Sequence, residues 1–145
     1  MLNQLNEHIL LNALDNESNE SIINLDKQKI MNDKNNILQK LHFPREKLKS
    51  YHTKLKDYRY VDNLDDINYG CYIRWIKIKD PADITITRGG IICDIKIKDD
   101  DRIHIICKNS MNRFISLILE ENLVFQKLTQ QEEIILKVLD YLKDN

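Results

Sequence analysis

The chain has 145 residues, which suits one compact domain, or one domain with an appendage. Hydrophobic residues make up 42% of it and charged residues 31%, so it can build a core, and disorder throughout is excluded. The formal net charge of −1 gives no global reason to expect binding to nucleic acid or acidic membranes, so a local charge cluster must carry any such function.

Residues 1–57 are predicted to be helical. Leu5, Ile9 and Ala13 fall on one stripe of a first helix. The first residues carry no Lys or Arg and make a poor signal peptide, and no stretch reaches the ~20 continuous apolar residues of a membrane helix. We therefore predict an intracellular protein, in the cytoplasm or in a virion, that is neither secreted nor bound to a membrane.

A thin apolar seam follows within residues 21–41. Ile23, Ile30 and Ile37 recur at heptad spacing, with polar residues at the other heptad core positions. A sustained coiled coil needs a second apolar position and more heptads. We predict a narrow amphipathic helix that packs on a neighbouring element. The alternative is homo-oligomerisation through residues 21–41.

A further helix is predicted after Pro44, where the missing N–H of proline costs nothing. Its apolar stripe consists of Leu48, Tyr51, Leu55 and Tyr58. Residues 40–59 are also rich in basic side chains, which could neutralise phosphates from the opposite face of the helix. The candidate nucleic-acid contacts are Arg45, Lys47, Lys49, Lys54 and Lys56.

Short runs that alternate apolar and polar residues, separated by glycine or polar turns, begin after residue 70. This pattern is typical of a small antiparallel sheet with one face on a core and one in water. The predicted strands lie within residues 71–79, 84–87, 91–98, 102–108, 113–119 and 123–125. Thr129 and Glu132 fit a capping box at the start of a C-terminal helix, whose broad apolar face should cover the sheet.

These elements predict an α+β fold with N-terminal helices, a small antiparallel β-barrel or curled meander sheet, and a C-terminal capping helix. We divide the chain into two predicted parts. Residues 1–57 are a helical region, as a helical hairpin or an oligomerisation segment. Residues 58–145 are the sheet with its C-terminal helix.

The residues that could carry chemistry are better explained by packing and by turns. Cys93 and Cys107 alternate with isoleucines, so both are predicted to fill the core. Neither they nor Cys71 show the spacing of a disulfide pair or a metal site, which favours a reducing compartment. The aspartates at 99–101 are predicted to form a solvated turn. With no nucleophile, base or cofactor motif, we predict no catalytic residue, no metal and no cofactor.

The outward face of the sheet and one of its loops are left for recognition. Trp75 falls on the inward side of its strand and is predicted to be buried, whereas Tyr72 and Arg74 fall on the other side. His104 alternates to the polar side of its strand and is predicted to be exposed. Loops on a rigid scaffold often carry recognition. The candidate binding residues are Tyr72, Arg74, His104, Asn109, Asn112 and Arg113.

Four stretches between residues 58 and 142 carry a family resemblance: YVDNLDDINYGCYIRWIKIKDP, GGIICDIKI, CKNSMNRFISLIL and VFQKLTQQEEIILKVLDYL. They resemble small uncharacterised proteins of giant DNA viruses (mimivirus-like). The resemblance implies an SH3-like barrel that a G-x-Y-I-R-W strand opens and a C-terminal helix closes. Its motifs are structural and bring no active-site residues with them.

We therefore expect a non-enzymatic interaction or structural protein, a virion or accessory component encoded by a virus, which binds a protein partner through its small barrel. The alternative is a nucleic-acid-binding protein that uses the basic helix of residues 40–59 and the barrel surface. An enzyme ranks third.

Overall fold

A computed structural model describes residues 4–16, 19, 22 and 25–144, and it has the predicted α+β fold. The helices are α1 (Gln4–Asp15), α2 (Lys27–Gln39), α3 (Arg45–Lys54) and α4 (Gln130–Asp144). The strands are β1 (Tyr58–Val61), β2 (Tyr72–Lys77), β3 (Gly90–Ile97), β4 (Ile103–Lys108), β5 (Phe114–Ile118) and β6 (Asn122–Lys127).

The six strands form one sheet in the order β1-β6-β2-β3-β4-β5, and all their pairings are antiparallel. The meander β2 to β5 ends in a 3-10 turn at Leu119–Glu121, which returns the chain to β6 beside β2. β1 and β5 are the edges. Within the described residues the sheet is therefore open, and its hydrogen bonding does not close it into a barrel.

Apolar side chains from all six strands meet on one face of the sheet in what we call the inner core. Its buried members are Val61, Ile67, Ile73, Trp75, Ile92, Ile105, Cys107, Leu117, Leu119 and Val124. The burial of Trp75 and Cys107 confirms two predictions. Desolvation raises the pKa of the Cys107 thiol to about 12, so Cys107 behaves as a small apolar residue.

Two further cores hold the helices. α2 and α3 pack on the outer face of β2 and β6 in the helix–sheet core, whose buried members are Leu38, Tyr51, Leu55, Ile76, Leu123 and Phe125. α1, α2 and α4 share the helix core of Ala13, Ile22, Ile30, Ile135 and Leu136. Residues from both sides of position 57 therefore contribute to both cores.

α2 is the amphipathic helix that the seam predicted, and its apolar side faces its own chain. Ile30 and Leu38 are buried, while Met31 is exposed on the other side. Ile23 lies outside the described residues. Lys34 Nζ donates to the carbonyl oxygens of Leu55 at 2.9 Å and of Lys56 at 3.3 Å. A homo-oligomer through residues 21–41 would therefore have to use the exposed side that carries Met31.

Two segments differ from their predicted structure. Tyr58 does not continue the stripe of α3, because α3 ends at Lys54 and the next residues pair with β6 as β1. Residues 84–87 do not form a strand, since their contact with β2 consists of the isolated bridge between Ile76 and Ile86 and of hydrogen bonds of Thr87, whose N–H donates to the Trp75 carbonyl at 2.9 Å. In both places tertiary pairing decides the structure, which local periodicity does not report.

The prediction that Cys93 fills the core is wrong. The register between β3 and β4 shifts between Ile92 and Asp94, as at a β-bulge. The extra residue changes which side chains face inward, so Ile92 occupies the inner core and Cys93 is exposed. A strict two-residue alternation along β3 therefore gave the wrong face.

A buried ion pair attaches the start of α4 to β1. The side chains of Arg59 and Glu132 are 3% and 1% exposed, and Arg59 Nε lies 3.5 Å from Glu132 Oε2. Glu132 Oε1 accepts the backbone N–H of Thr129 at 3.0 Å, and the N–H of Glu132 donates to Thr129 Oγ1 at 3.1 Å. The predicted capping box is therefore present, and its carboxylate also holds a buried guanidinium.

Candidate binding cleft beside the edge strand β5

A cleft of about 520 Å³ lies beside β5, which pairs with no strand other than β4 among the described residues. We call it the edge cleft. One wall is β5 with the turn before it, and the other is formed by the end of β2 and the segment 87–89. Its lining residues are Trp75, Lys77, Lys79, Thr87, Arg88, Gly89, His104, Asn109, Ser110, Met111, Ile115, Ser116, Leu117, Ile118, Glu121 and Asn122. Its volume lies in the ~300–1,000 Å³ range of ligand-binding sites.

The side chains of β5 follow the pleat of the strand. Ile115 packs against the inner core, which also contains Leu117, so these two face inward. Phe114 and Ser116 face outward, and Phe114 is 69% exposed. The edge cleft thus combines an apolar floor with an uncovered stretch of backbone, which are the two elements that recognition of an extended peptide requires.

Basic side chains dominate the far wall and the end of the edge cleft. Lys77, Lys79 and Arg88 are exposed there. Glu121 is already paired, with Arg102 Nη2 at 2.7 Å and Lys79 Nζ at 3.6 Å. The hydrogen bond from Arg102 is the largest cause that lowers the pKa of Glu121, so Glu121 stays ionised and its charge is neutralised locally. The cleft therefore carries a net positive charge.

His104 lines the edge cleft but is not the exposed residue that its alternation predicted. Its side chain is only 12% exposed, and its Nε2 lies 3.6 Å from Asp100 Oδ2. Nε2 has no hydrogen-bond partner among the described residues. The pKa of Asp100 is lowered, mainly by the hydrogen bond that its carboxylate accepts from the backbone N–H of Arg102. The His104 side chain lowers this pKa further. His104 is therefore a partly buried group held beside a carboxylate.

Tyr72 and Arg74, two of the candidate binding residues, support the cleft from behind. Tyr72 Oη donates to the carbonyl of Arg88 at 2.7 Å, and Arg74 Nε donates to the carbonyl of Thr87 at 2.9 Å. Gly89 is packed so closely that a Cβ there would lie 2.0 Å from the carbonyl oxygen of Ile73. These contacts fix the far wall of the edge cleft.

The turn between β4 and β5 carries the other three candidates. Asn109 lines the cleft, and its Oδ1 accepts the backbone N–H groups of Met111 at 2.9 Å and Arg113 at 3.0 Å. Asn112 has a positive φ of 60°, which an asparagine tolerates in a turn. Asn112 and Arg113 are exposed at the tip of the turn. Of the six candidate binding residues, His104 and Asn109 line the edge cleft.

Sequence reasoning missed the residues that give the edge cleft its character. It also missed Phe114, an exposed aromatic at the start of β5, next to the residues that line the cleft. The alternation along β5 places this large apolar side chain on the solvent-facing side of the strand, and that observation could have identified it from the sequence. Lys77 and Arg88 gave no such signal, because their relation to β5 depends on the fold.

The candidate nucleic-acid residues divide into two groups. Lys47 takes part in the fold, since its Nζ donates to the carbonyl of Ile84 at 3.0 Å and lies 4.8 Å from the ring centroid of Phe43. The other four are exposed, and we call them the basic face. The basic face consists of Arg45, Lys49, Lys54 and Lys56.

Comparison with protein families, curated proteins and solved structures gives no match to this chain. No helix in the described part of the chain is long and apolar enough to cross a bilayer. Among the same residues there is no cluster of three or more histidine, cysteine, aspartate or glutamate side chains that could hold a metal ion.

Proposed function

We propose that this is a non-enzymatic interaction or structural protein that binds a protein partner in the edge cleft. The observation that carries the proposal is the cleft itself, which has an apolar floor and a basic wall and adjoins a sheet edge that pairs with no further strand among the described residues. Sheet edges of this kind are standard docking places for extended segments of other proteins.

The proposal includes an SH3-like barrel as the scaffold. Two observations support it. β6 returns to pair with β2, the first strand of the meander, and all six strands contribute to the inner core. A sheet that curls in this way approaches closure. The edge cleft lies beside β5, one of the two edge strands that closure of such a barrel would bring together.

The resemblance of residues 58–142 to proteins of giant DNA viruses supports a virus-encoded role, as a virion component or an accessory protein. Such a role requires a specific partner and no chemistry. In this proposal α2 and α3 brace the sheet from its outer face, since both contribute to the helix–sheet core. The edge cleft is left free for the partner.

Capture with the full-length protein from the cells that make it tests the proposal. Ser116→Pro removes a backbone N–H that faces the free edge, where proline is tolerated, and Ser116→Thr is the matched control. We expect a partner that the wild type and Ser116→Thr retain and Ser116→Pro loses. Identical captured proteins for all three baits would contradict binding at β5. Circular dichroism must first show that Ser116→Pro is folded.

The second candidate function is nucleic-acid binding through the basic face. The observation that favours it is that Arg45, Lys49, Lys54 and Lys56 are exposed and make no ion pair with the described residues. Neutralisation of phosphates by such a group gives binding that weakens steeply with salt.

Titration with single-stranded and duplex DNA at two salt concentrations tests this candidate. Arg45→Glu/Lys49→Glu should abolish the salt-dependent binding, whereas Lys137→Glu, an exposed residue on α4, should not. Equal binding of DNA by both variants would contradict nucleic-acid binding through the basic face.

A further inference from the structure

The two edge strands of the sheet, β1 and β5, differ in how far other elements of the chain cover them. β1 is short and is flanked by α2, which packs on it and donates through Lys34 to the backbone just before it. In the part of the chain that the structure describes, no helix packs on β5 in this way. Its sequence, FISLI, contains no charge and no proline, the devices that usually protect an exposed edge from pairing. An unprotected, largely apolar edge is suited to pairing with another strand.

The backbone groups of β5 that remain available can be identified. In an antiparallel pair, residues that exchange backbone hydrogen bonds alternate with residues whose N–H and C=O point away from the partner. The bond from Asn109 N–H to the Arg113 carbonyl, at 2.9 Å, sets this alternation. By it, Phe114, Ser116 and Ile118 direct their backbone groups away from β4, to the free edge of the sheet, where Ser116 and Ile118 line the edge cleft.

Ile118 is partly satisfied already, since its carbonyl accepts a hydrogen bond from Asn122 Nδ2 at 2.8 Å. Phe114 and Ser116 have no backbone partner among the described residues. Their two N–H and two C=O groups are those that an added antiparallel strand would pair with.

The charge of the opposite wall selects the chemistry of such a strand. Glu121 is occupied by Arg102 and Lys79, whereas Lys77 and Arg88 form no ion pair with the described residues. An extended segment in the edge cleft would lie between β5 and these two cations. Carboxylate side chains on that segment would therefore be favoured over neutral or basic ones.

The geometry disfavours a second copy of this chain as the occupant. An added strand would have β5 on one side and segment 87–89 on the other, since both line the same cleft. The β5 of a second copy still carries its own β4, so it would not enter a cleft with a wall on its far side. A free extended segment has no such neighbour.

We infer that the edge cleft takes an extended acidic segment of a partner protein, which adds to β5 as an antiparallel strand. The inference rests on the proposed function and specifies its ligand. The strand is held by the backbone groups of Phe114 and Ser116, and Lys77 and Arg88 select its acidic side chains.

Three eight-residue peptides with alternating valine and a variable residue test the inference: glutamate, serine or lysine at every second position. Each is titrated into the isotope-labelled full chain and followed by NMR. We expect the glutamate peptide to shift the amide signals of Phe114 and Ser116 and to slow their hydrogen exchange. We also expect it to bind about fivefold more tightly than the serine peptide, because two rim ion pairs are gained.

Charge reversal and salt separate the two parts of the inference. Lys77→Glu/Arg88→Glu should reverse the preference, so that the lysine peptide binds best, while Lys98→Glu, exposed and outside the cleft, should leave it unchanged. The preference for glutamate should shrink as the salt concentration rises. Equal binding of all three peptides would overturn the acidic selection, and binding without protection of Phe114 and Ser116 would overturn strand addition.

The remaining outcomes are also decisive. If no peptide binds at millimolar concentration, the inference fails, while the proposed function is still judged by its own capture experiment with Ser116→Pro. If single-stranded DNA protects Phe114 and Ser116 and the glutamate peptide does not, the polyanion in the cleft is nucleic acid and the inference is wrong.

Discussion

Removal of the charge of Glu132 should destabilise the protein strongly, although Glu132 does not line the edge cleft. Glu132→Gln preserves the acceptor for the N–H of Thr129 but removes the carboxylate 3.5 Å from Arg59 Nε, while Asp66 Oδ1 stays 4.0 Å from Arg59 Nη1. Loss of one member of a buried ion pair typically costs about 3–5 kcal/mol. We expect the lower end, about 3 kcal/mol, because Arg59 Nη2 still donates to the Asp66 carbonyl at 3.2 Å.

Chemical denaturation in urea measures the change, with m-values checked for constancy. Thr129→Ala is the matched control, since it removes only the cap and should cost about 1 kcal/mol. Arg59→Met/Glu132→Met should be less destabilised than either single variant, because an apolar pair leaves no buried charge. A Glu132→Gln protein within about 0.5 kcal/mol of the wild type would refute the role of the ion pair.

Gly89→Ala should lower the free energy of unfolding by more than about 2 kcal/mol, because φ is +87° and the new Cβ would meet the Ile73 carbonyl. Gly70→Ala, whose Cβ would point into free space, should lower it by about half as much. Urea denaturation compares the two variants. A thiol reagent at pH 8 should modify Cys93 first, because Cys93 is the exposed cysteine. A fast phase of modification that survives in Cys93→Ser would show that another thiol reacts first and would contradict this prediction. Burial raises the Cys107 pKa, so the wild type should lose stability relative to Cys107→Ala as pH rises from 9 toward 12.

Much of the sheet could be predicted from the sequence because its signals are local. Alternation and turn residues located β2 to β5, and the pair of Thr129 and Glu132 located the start of α4. Inward positions such as Trp75 followed from strand periodicity. These features depend on neighbours within a few residues, which a single sequence displays directly.

The wrong predictions concern residues whose conformation depends on contacts with segments distant in the sequence. Cys93 lies on the opposite face of β3 from the predicted one, because β3 carries a bulge opposite β4. The alternation of residues along β3 does not reveal the extra residue of the bulge. β1 consists of only Tyr58–Val61, and its strand conformation comes from pairing with β6. A four-residue run that also fits a helical stripe cannot be assigned by periodicity.

The edge cleft itself could not be predicted from single motifs. Its walls come from β5, from the end of β2 and from segment 87–89, which the topology brings together. Asn109 was found because turns commonly carry recognition, and His104 was found for the wrong reason, since it is largely buried. The charge of the cleft depends on which cations are already paired, which only the structure reports.

Photo-crosslinking from β5 in the cells that make the protein is the most direct test of partner binding. Phe114 is replaced by p-benzoylphenylalanine in the full chain, and the same probe at Met31, exposed on α2, is the control. We expect Phe114 to yield one protein adduct whose crosslinked peptide is acidic and lacks proline, and Met31 to yield none. Adducts from Met31 alone, or from Phe114 to nucleic acid alone, would contradict a protein partner at the edge cleft.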